Sequence, residues 1–289
     1  MKVIATHDKF IVLEHRGYTV LAAKGDIPKG AERELRVKFS REVQNLMINE
    51  IIDEVEGVKD FHKGDESQKE ICIEKLLYIL STPFWCIPVY QVKAWDRVKK
   101  VWNQQTYQYV RWNTGVDSGI VVLSLTTDQK VVFVDEFRHS MRHQAALSQH
   151  ISGFSVPRYG LRTELIRGLR LPKPGTSELE SFEDGALRIA SNVAGVKPTE
   201  NTKVVALGTY DADTGVLCQH ARCFAVTNVE ADESRMRPDL SEAIYGHKVL
   251  SLREVGDMMR SDEIRCGFAH HSILRAMLLG VINSSALSA

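Results

Sequence analysis

The residues of this chain that could act on a phosphate ester are densest in the run ESFEDGALRIASNVAGV, residues 180–196. Glu180, Glu183 and Asp184 place carboxylates in the first turns of an expected helix, and carboxylates bind the hard cations that activate water beside a diphosphate. Arg188 stands eight residues after Glu180. It either pairs with Asp184 at i,i+4 spacing on a surface or turns its guanidinium fork toward a phosphate. A second group of acids, Glu230, Asp232 and Glu233, precedes Pro238; it offers a further carboxylate or is a solvated acidic loop. Cations gather in two places. Arg138-His139 and Met141-Arg142-His143 follow an apolar strand, where Arg138 is a candidate ligand contact or else an ion pair at a subunit interface. Arg158, Arg162, Arg167, Arg170 and Lys173 lie in one stretch with Glu164 and Glu178, as a phosphate-recognising segment or as ordinary solvated charges.

Other chemistries find less support. His143 and His150 titrate near neutrality but have no identifiable nucleophile partner. Cys218-x-His220-x2-Cys223 lies on an expected strand, where 218 and 220 share a face and 223 points away. Cys266 with His270 and His271 is scattered, and neither set has the paired spacing of structural zinc. The sequence contains no GxxxxGK[ST], GxGxxG or GxSxG.

These residues need a scaffold, and 289 residues suffice for two domains. Lysine plus arginine equals aspartate plus glutamate at 37 each, so no global field draws the chain to nucleic acid or an anionic membrane; neither partner is expected, although a local basic patch is compatible with that balance. Five cysteines without a CxxC pair read as reduced thiols, the N-terminus has no apolar signal core, and no run reaches the ~18 apolar residues of a span. A cytoplasmic protein is expected.

Residues 1–88 read as a small α+β module. Short strands are expected at Val3-Ile4, Phe10–Leu13 and Tyr18–Leu21, with a turn at Arg16-Gly17. Ser40 is a candidate N-cap for a helix carrying Val43, Leu46, Met47, Ile51 and Val55 on one face. A second helix is expected over 66–80, with Ile73, Leu76, Leu77 and Leu80 inward and Pro83 and Pro88 at its exit. This module is assigned a scaffold, dimerisation or protein-binding role. In residues 89–289, a hairpin is expected at 119–134 around Thr126–Gln129, with strands at 203–207 and 216–226. Helices are expected at 180–194, from the capping box Ser251-x-x-Glu254 to Met259, and around Ile273, Leu274, Met277 and Leu278.

The order of these pieces resembles the ADP-ribose pyrophosphatase branch of the Nudix hydrolase superfamily. The family box reads Gly-x5-Glu-x7-Arg-Glu-(apolar)-x-Glu-Glu-x-Gly-(apolar), and here Glu180, Arg188, Gly195 and Val196 fall in frame. Val132–His139, Ile151-Ser-Gly153, Leu207–Tyr210 with the Gly215 loop, and Ser261–Ile264 resemble flanking family segments. The resemblance covers about 90–282. It implies a mixed-sheet α/β/α sandwich preceded by the small α+β domain, and a homodimer whose intersubunit strands come from 90–115. The positions of the metal-binding glutamates hold Ile189, Asn192 and Val193. The frame therefore implies a lapsed, pseudoenzyme-like Nudix protein that binds an ADP-ribose-like or nucleotide-sugar ligand through Arg138, Arg158, Arg162 and Arg188, or that serves structural or regulatory contacts. No cofactor is then expected. The alternative is a Mg2+-dependent hydrolase of nucleoside diphosphate derivatives that uses relocated acids, Glu180, Glu183 and Glu233. A sugar dehydratase built on tandem degenerate Nudix folds ranks last, since one copy is visible. Between Gly153 and Glu180 the family has five residues and this chain twenty-six, so 154–179 reads as a basic insertion near the pocket.

Overall fold

The computed structural model describes residues 1–7, 10–23, 41–82, 85–112, 119–137, 161–171, 173, 176, 178–212, 220–237 and 243–287. The chain forms two compact units, Met1–Val116 with Asp213–Gln219, and Asp117–Ala212 with His220–Ala289.

Among the described residues the first unit is one seven-stranded sheet with a helix. Its strands are β1 (Lys2–Thr6), β2 (Phe10–His15), β3 (Tyr18–Ala23), β4 (Cys72–Ser81), β5 (Trp85–Asp96), β6 (Val101–Gln108) and β7 (Arg111–Trp112), ordered β1-β2-β3-β4-β5-β6 with β7 also on β5. The β2–β3 turn places Arg16 and Gly17 at φ 53° and 81°, the two positive values that a two-residue hairpin of this hand requires. The expected helix is present as α1 (Arg41–Glu56), between the parallel strands β3 and β4. Its inward face is Met47, Ile48, Ile51 and Ile52, against Leu76, Ile79, Cys86 and Tyr90; Leu46, expected inside, is 67% exposed. Adding Ile48 and Ile52 to the stripe turns it away from Leu46.

The helix expected over 66–80 is a strand. Only Glu66–Gln68 makes a helical turn, and Cys72–Ser81 runs antiparallel to β5. The domain boundary drawn at 88 falls inside β5, which pairs with β4 on one side and β6 and β7 on the other, so the sheet continues to Trp112.

The second unit is a mixed sheet between helices. Its strands are β8 (Gly119–Thr126), β9 (Val131–Phe137), β10 (Leu161–Glu164), β11 (Ile166–Leu169), β12 (Val196–Asp211), β13 (His220–Ala231) and β14 (Ala243–Leu250); its helices are α2 (Phe182–Ala194), α3 (Leu252–Arg260) and α4 (Gly267–Leu278). β8 and β9 pair at the turn, through Ser124–Val132 and Leu125–Val131, and then splay. Into the splay go β10 along β9 and β11 along β8. The segment read as a basic insertion over 154–179 therefore supplies two sheet strands, with Leu165 and Ile166 at 1% exposure.

Every residue of β8 is buried because both faces are covered. Ile120 and Val122 join α2, Ile166 and Phe224 on one face. Val121, Leu123 and Leu125 join α3 and α4 on the other. The capping box at Ser251 and Glu254 is formed. In α4 the inward residues are Ala269, Ser272, Ile273 and Ala276, while Leu274 and Leu278 are exposed. This is the α+β, α/β/α sandwich architecture that the sequence suggested. Among the described residues no helix is long and apolar enough to cross a membrane.

Candidate functional site

Helix α2 is specified at both ends. Ser181 accepts a bond from the Asp184 backbone N–H at 3.0 Å, Glu183 and Asp184 place negative charge in the first turn, and Gly195 closes the helix at φ 61°. A Cβ on Gly195 would lie 2.5 Å from the Asp232 carbonyl oxygen. The buried face is small where it meets the sheet, with Gly185, Ala186, Ala190 and Ala194 around Ile189. Gly168 on β11 leaves the room that Ile189 fills, since a Cβ there would stand 2.6 Å from Ile189 Cδ1. The strand packed on the helix is thus Ile166–Leu169, and the glycine facing the helix is Gly168.

Glu180 and Arg188, expected respectively as a relocated acid and a ligand contact, are brought together. Arg188 Nε donates to both Glu180 oxygens at 3.1 and 3.0 Å, and Nη2 donates to Oε1 at 2.5 Å and to the Leu169 carbonyl at 2.7 Å. Glu180 Oε1 also accepts from the Leu171 N–H at 2.9 Å, and Arg170 Nε donates to the Glu180 carbonyl at 2.7 Å. The partner of Arg188 is the carboxylate eight residues back. These bonds tie the end of β11 to the start of α2. Arg188→Ala leaves Glu180 half-satisfied at a site where its side chain is 13% exposed, and is expected to cost about 2 kcal/mol in chemical denaturation. A change below about 0.5 kcal/mol would reduce the pair to an ordinary surface contact.

The other candidate acids do not converge on Glu180. Glu183 is exposed in the first turn. Glu233 lies beyond the opposite end of α2, its Cα 3.1 Å from where a Gly195 Cβ would be. Thirteen helical residues span about 20 Å. Ile189 is 1% exposed within an apolar cluster, Val193 packs partly against it, and Asn192 is half-buried with its carbonyl taken by the Arg237 N–H at 2.6 Å. Among the described residues no three His, Cys, Asp or Glu side chains are placed to hold a metal ion. The residues present do not fit the Mg2+ site that the box frame implies. Arg138, Arg158, His143, His150, Gly153 and Cys218 lie outside the described residues.

A second polar concentration was read from the sequence only in Arg162, Glu164 and Arg167, not in the residues of β9 and β14 that join them. Glu136, Arg162, Thr163 and Glu164, on β9 and β10, are each at most 9% exposed. Asp135 Oδ1 accepts from the Thr163 hydroxyl at 2.7 Å, Oδ2 lies 2.8 Å from Lys248 Nζ on β14, and Lys248 donates to Thr163 at 3.2 Å. Arg167 pairs with Glu164, and its guanidinium sits 5.1 Å from the Phe268 ring centre. Burial, then the charge of Arg265, lowers the pKa of the Arg162 guanidinium. Charged side chains are seldom this buried without a structural or binding purpose. Their sequence signal was the abrupt change from Val131-Val-Phe-Val to Asp135-Glu136.

Among the described residues the cysteines offer no activated nucleophile: Cys72, Cys86, Cys223 and Cys266 are free thiols, and burial raises their pKa values, Cys86 to about 11.

The second unit is a mixed sheet with a splayed hairpin, filled by the segment leading into α2. The chain is similar to a solved structure described as an ADP compounds hydrolase, a Nudix-fold protein, at TM-score 0.50 and 10% identity, over 79% of this chain and 99% of that one. That cover is more than the second unit alone supplies, so the likeness reaches into the first. No protein-family model matches the sequence, and no curated protein matches it.

Proposed function

We propose that the second unit is a Nudix domain that binds a nucleoside diphosphate derivative, an ADP-ribose-like or nucleotide-sugar compound, and does not cleave it by the metal–glutamate route. The observation that carries this reading is Ile189. Where the box frame calls for a metal ligand, the helix buries an apolar side chain against Gly168, and the remaining glutamate of the frame is held by Arg188. Hard Mg2+ requires charged oxygen ligands, and a lone carboxylate near Gly195 does not replace three. Binding without turnover leaves a sensing or structural role, as a cytoplasmic homodimer whose intersubunit strands come from 90–115.

The test is a thermal-shift panel of ADP-ribose, NAD, UDP- and GDP-sugars and diadenosine compounds, with and without Mg2+, each mixture then checked by chromatography. A ligand that raises the melting temperature by several degrees and is recovered intact is the expected result, since saturation at about 100 Kd adds about 2.7 kcal/mol. Mg2+-dependent cleavage would overturn the reading, and silence across the panel would leave a protein-contact role.

A further inference from the structure

The β5–β6 hairpin of the first unit ends in Asp96-Arg97-Val98-Lys99-Lys100. Asp96 organises this turn: Oδ1 accepts the backbone N–H groups of Val98 and Lys99, both at 2.9 Å, and its carbonyl accepts that of Lys100 at 2.8 Å. The acid is thus engaged by backbone, while Arg97, Lys99 and Lys100 stand exposed around Val98, which is 91% exposed. Just behind the turn, Trp95 and Trp102 face one another across the two strands, edge to face at 5.5 Å and half-buried. Lys69 Nζ lies 5.1 Å from the Trp95 ring centre, and Lys93 Nζ 5.7 Å from that of Trp102. Val101, the first residue of β6, and Ile71, which precedes the strand partner of Lys93, are 44% and 46% exposed. The acids at this end are Asp96 in the turn, Glu66, which pairs with Lys93, and Glu74, whose charge also bears on Lys93, with Asp65 and Glu70 behind them near Cys72.

Within the turn, residues 96–100, three cations therefore meet one acid that the backbone already engages, in a chain whose total charge is zero. From the tip inward the order is an apolar side chain among cations, then tryptophans flanked by lysines. An anionic bilayer presents the complementary order: phosphate and carboxylate charge at its surface, and below it an interfacial layer that favours indole rings and snorkelling lysines. The geometry points to docking of this hairpin tip on an anionic lipid surface, with Val98 entering the headgroup layer and Arg97, Lys99 and Lys100 meeting lipid charge. A nucleic acid strand would stack on open ring faces, whereas these rings pack on each other and carry lysines. The attraction is local and confined to about a Debye length, so the docking is reversible and salt-sensitive.

The test is co-sedimentation of the full chain with phosphatidylcholine vesicles, with and without about 30% phosphatidylserine, at low salt and at about 0.5 M salt. Binding is expected only to the anionic vesicles and is lost in high salt. Each cation near such a surface strengthens binding roughly fivefold, so the triple variant Arg97→Gln/Lys99→Gln/Lys100→Gln weakens it about 100-fold. Val98→Asp weakens it as well. All four positions are exposed, and unchanged thermal melting confirms that the variants fold. No binding to anionic vesicles, equal binding by the triple variant, or preference for a single-stranded oligonucleotide at the same salt would each overturn the assignment.

Discussion

Ile189→Glu is expected to destabilise the second unit by at least about 3 kcal/mol and to restore no Mg2+-dependent hydrolysis. The substitution returns to the box one of the acids its frame calls for, but the side chain lies in a core. Ile189 is 1% exposed among Ile120, Val122, Ile166 and Phe224, and its Cδ1 reaches to 2.6 Å of the space above Gly168. A carboxylate there loses both its hydration and the packing of the isoleucine. Burial raises its folded pKa above the unfolded value, so the folded state binds the proton more tightly. The penalty is then largest above the folded pKa and shrinks as pH falls toward the unfolded one. Asn192→Glu, on a half-exposed position of the same helix, should stay within about 1 kcal/mol of the parent. Urea denaturation at two pH values reads both variants. An Ile189→Glu protein as stable as the parent would mean that the position faces a solvated cleft, and the lapsed-site reading would go with it.

What the sequence made legible was local. Ser181 and Gly195 delimit α2 by cap chemistry confined to a few residues, and Ser251 with Glu254 does the same for α3. The turns at Arg16-Gly17 and after Thr126 follow from residues adjacent in the chain. The failure at 66–80 has a definite cause. β4 changes register against β5 between Ile73 and Lys75 and again between Leu76 and Tyr78. Each irregularity shifts the inward phase by one residue, so Ile73, Leu76 and Ile79 face the core at three-residue, helix-like spacing within a strand, while Leu77 and Leu80, expected inward, lie outside that core cluster. Pro88 misled in the same region. It sits within β5, but on the β6–β7 side it falls between the paired residues Cys86 and Val89, where no strand residue stands opposite.

The candidate site was legible only as a frame. Glu180 and Arg188 were in phase, but their bond to each other required knowing that β11 ends beside them at Leu169 and Leu171. Glu180 and Glu233 looked like partners in composition; a 13-residue helix between them keeps them at opposite ends. The Asp135–Thr163–Lys248 network joins residues 28 and 85 positions apart, through a splayed hairpin that no local periodicity announces.

The second large effect belongs to the first unit. Arg111→Ala is expected to cost about 3–5 kcal/mol, because it strands acids that the fold has drawn inward. The Arg111 side chain is 4% exposed, with Nη1 donating to Glu54 Oε2 at 2.7 Å and Nη2 to Glu50 Oε1 at 3.0 Å. Burial opposes its charge; the bond and the charge of Glu54 outweigh that, and its pKa is raised. Glu50 and Glu54 are one turn apart on α1, so a single guanidinium on β7 grips successive turns of the helix across 57 and 61 residues of sequence. Arg111→Met paired with Glu54→Leu should recover most of the loss in urea denaturation, since replacing both partners removes the buried charge as well as the bond. A loss below about 1 kcal/mol for Arg111→Ala would show the pair to be incidental. The same bond decides where the first unit ends. A chain cut at 88 loses β6, β7 and Arg111, leaving Glu54 uncompensated and β5 broken, so it should not fold; a chain cut at 116 keeps all of them and should melt cooperatively.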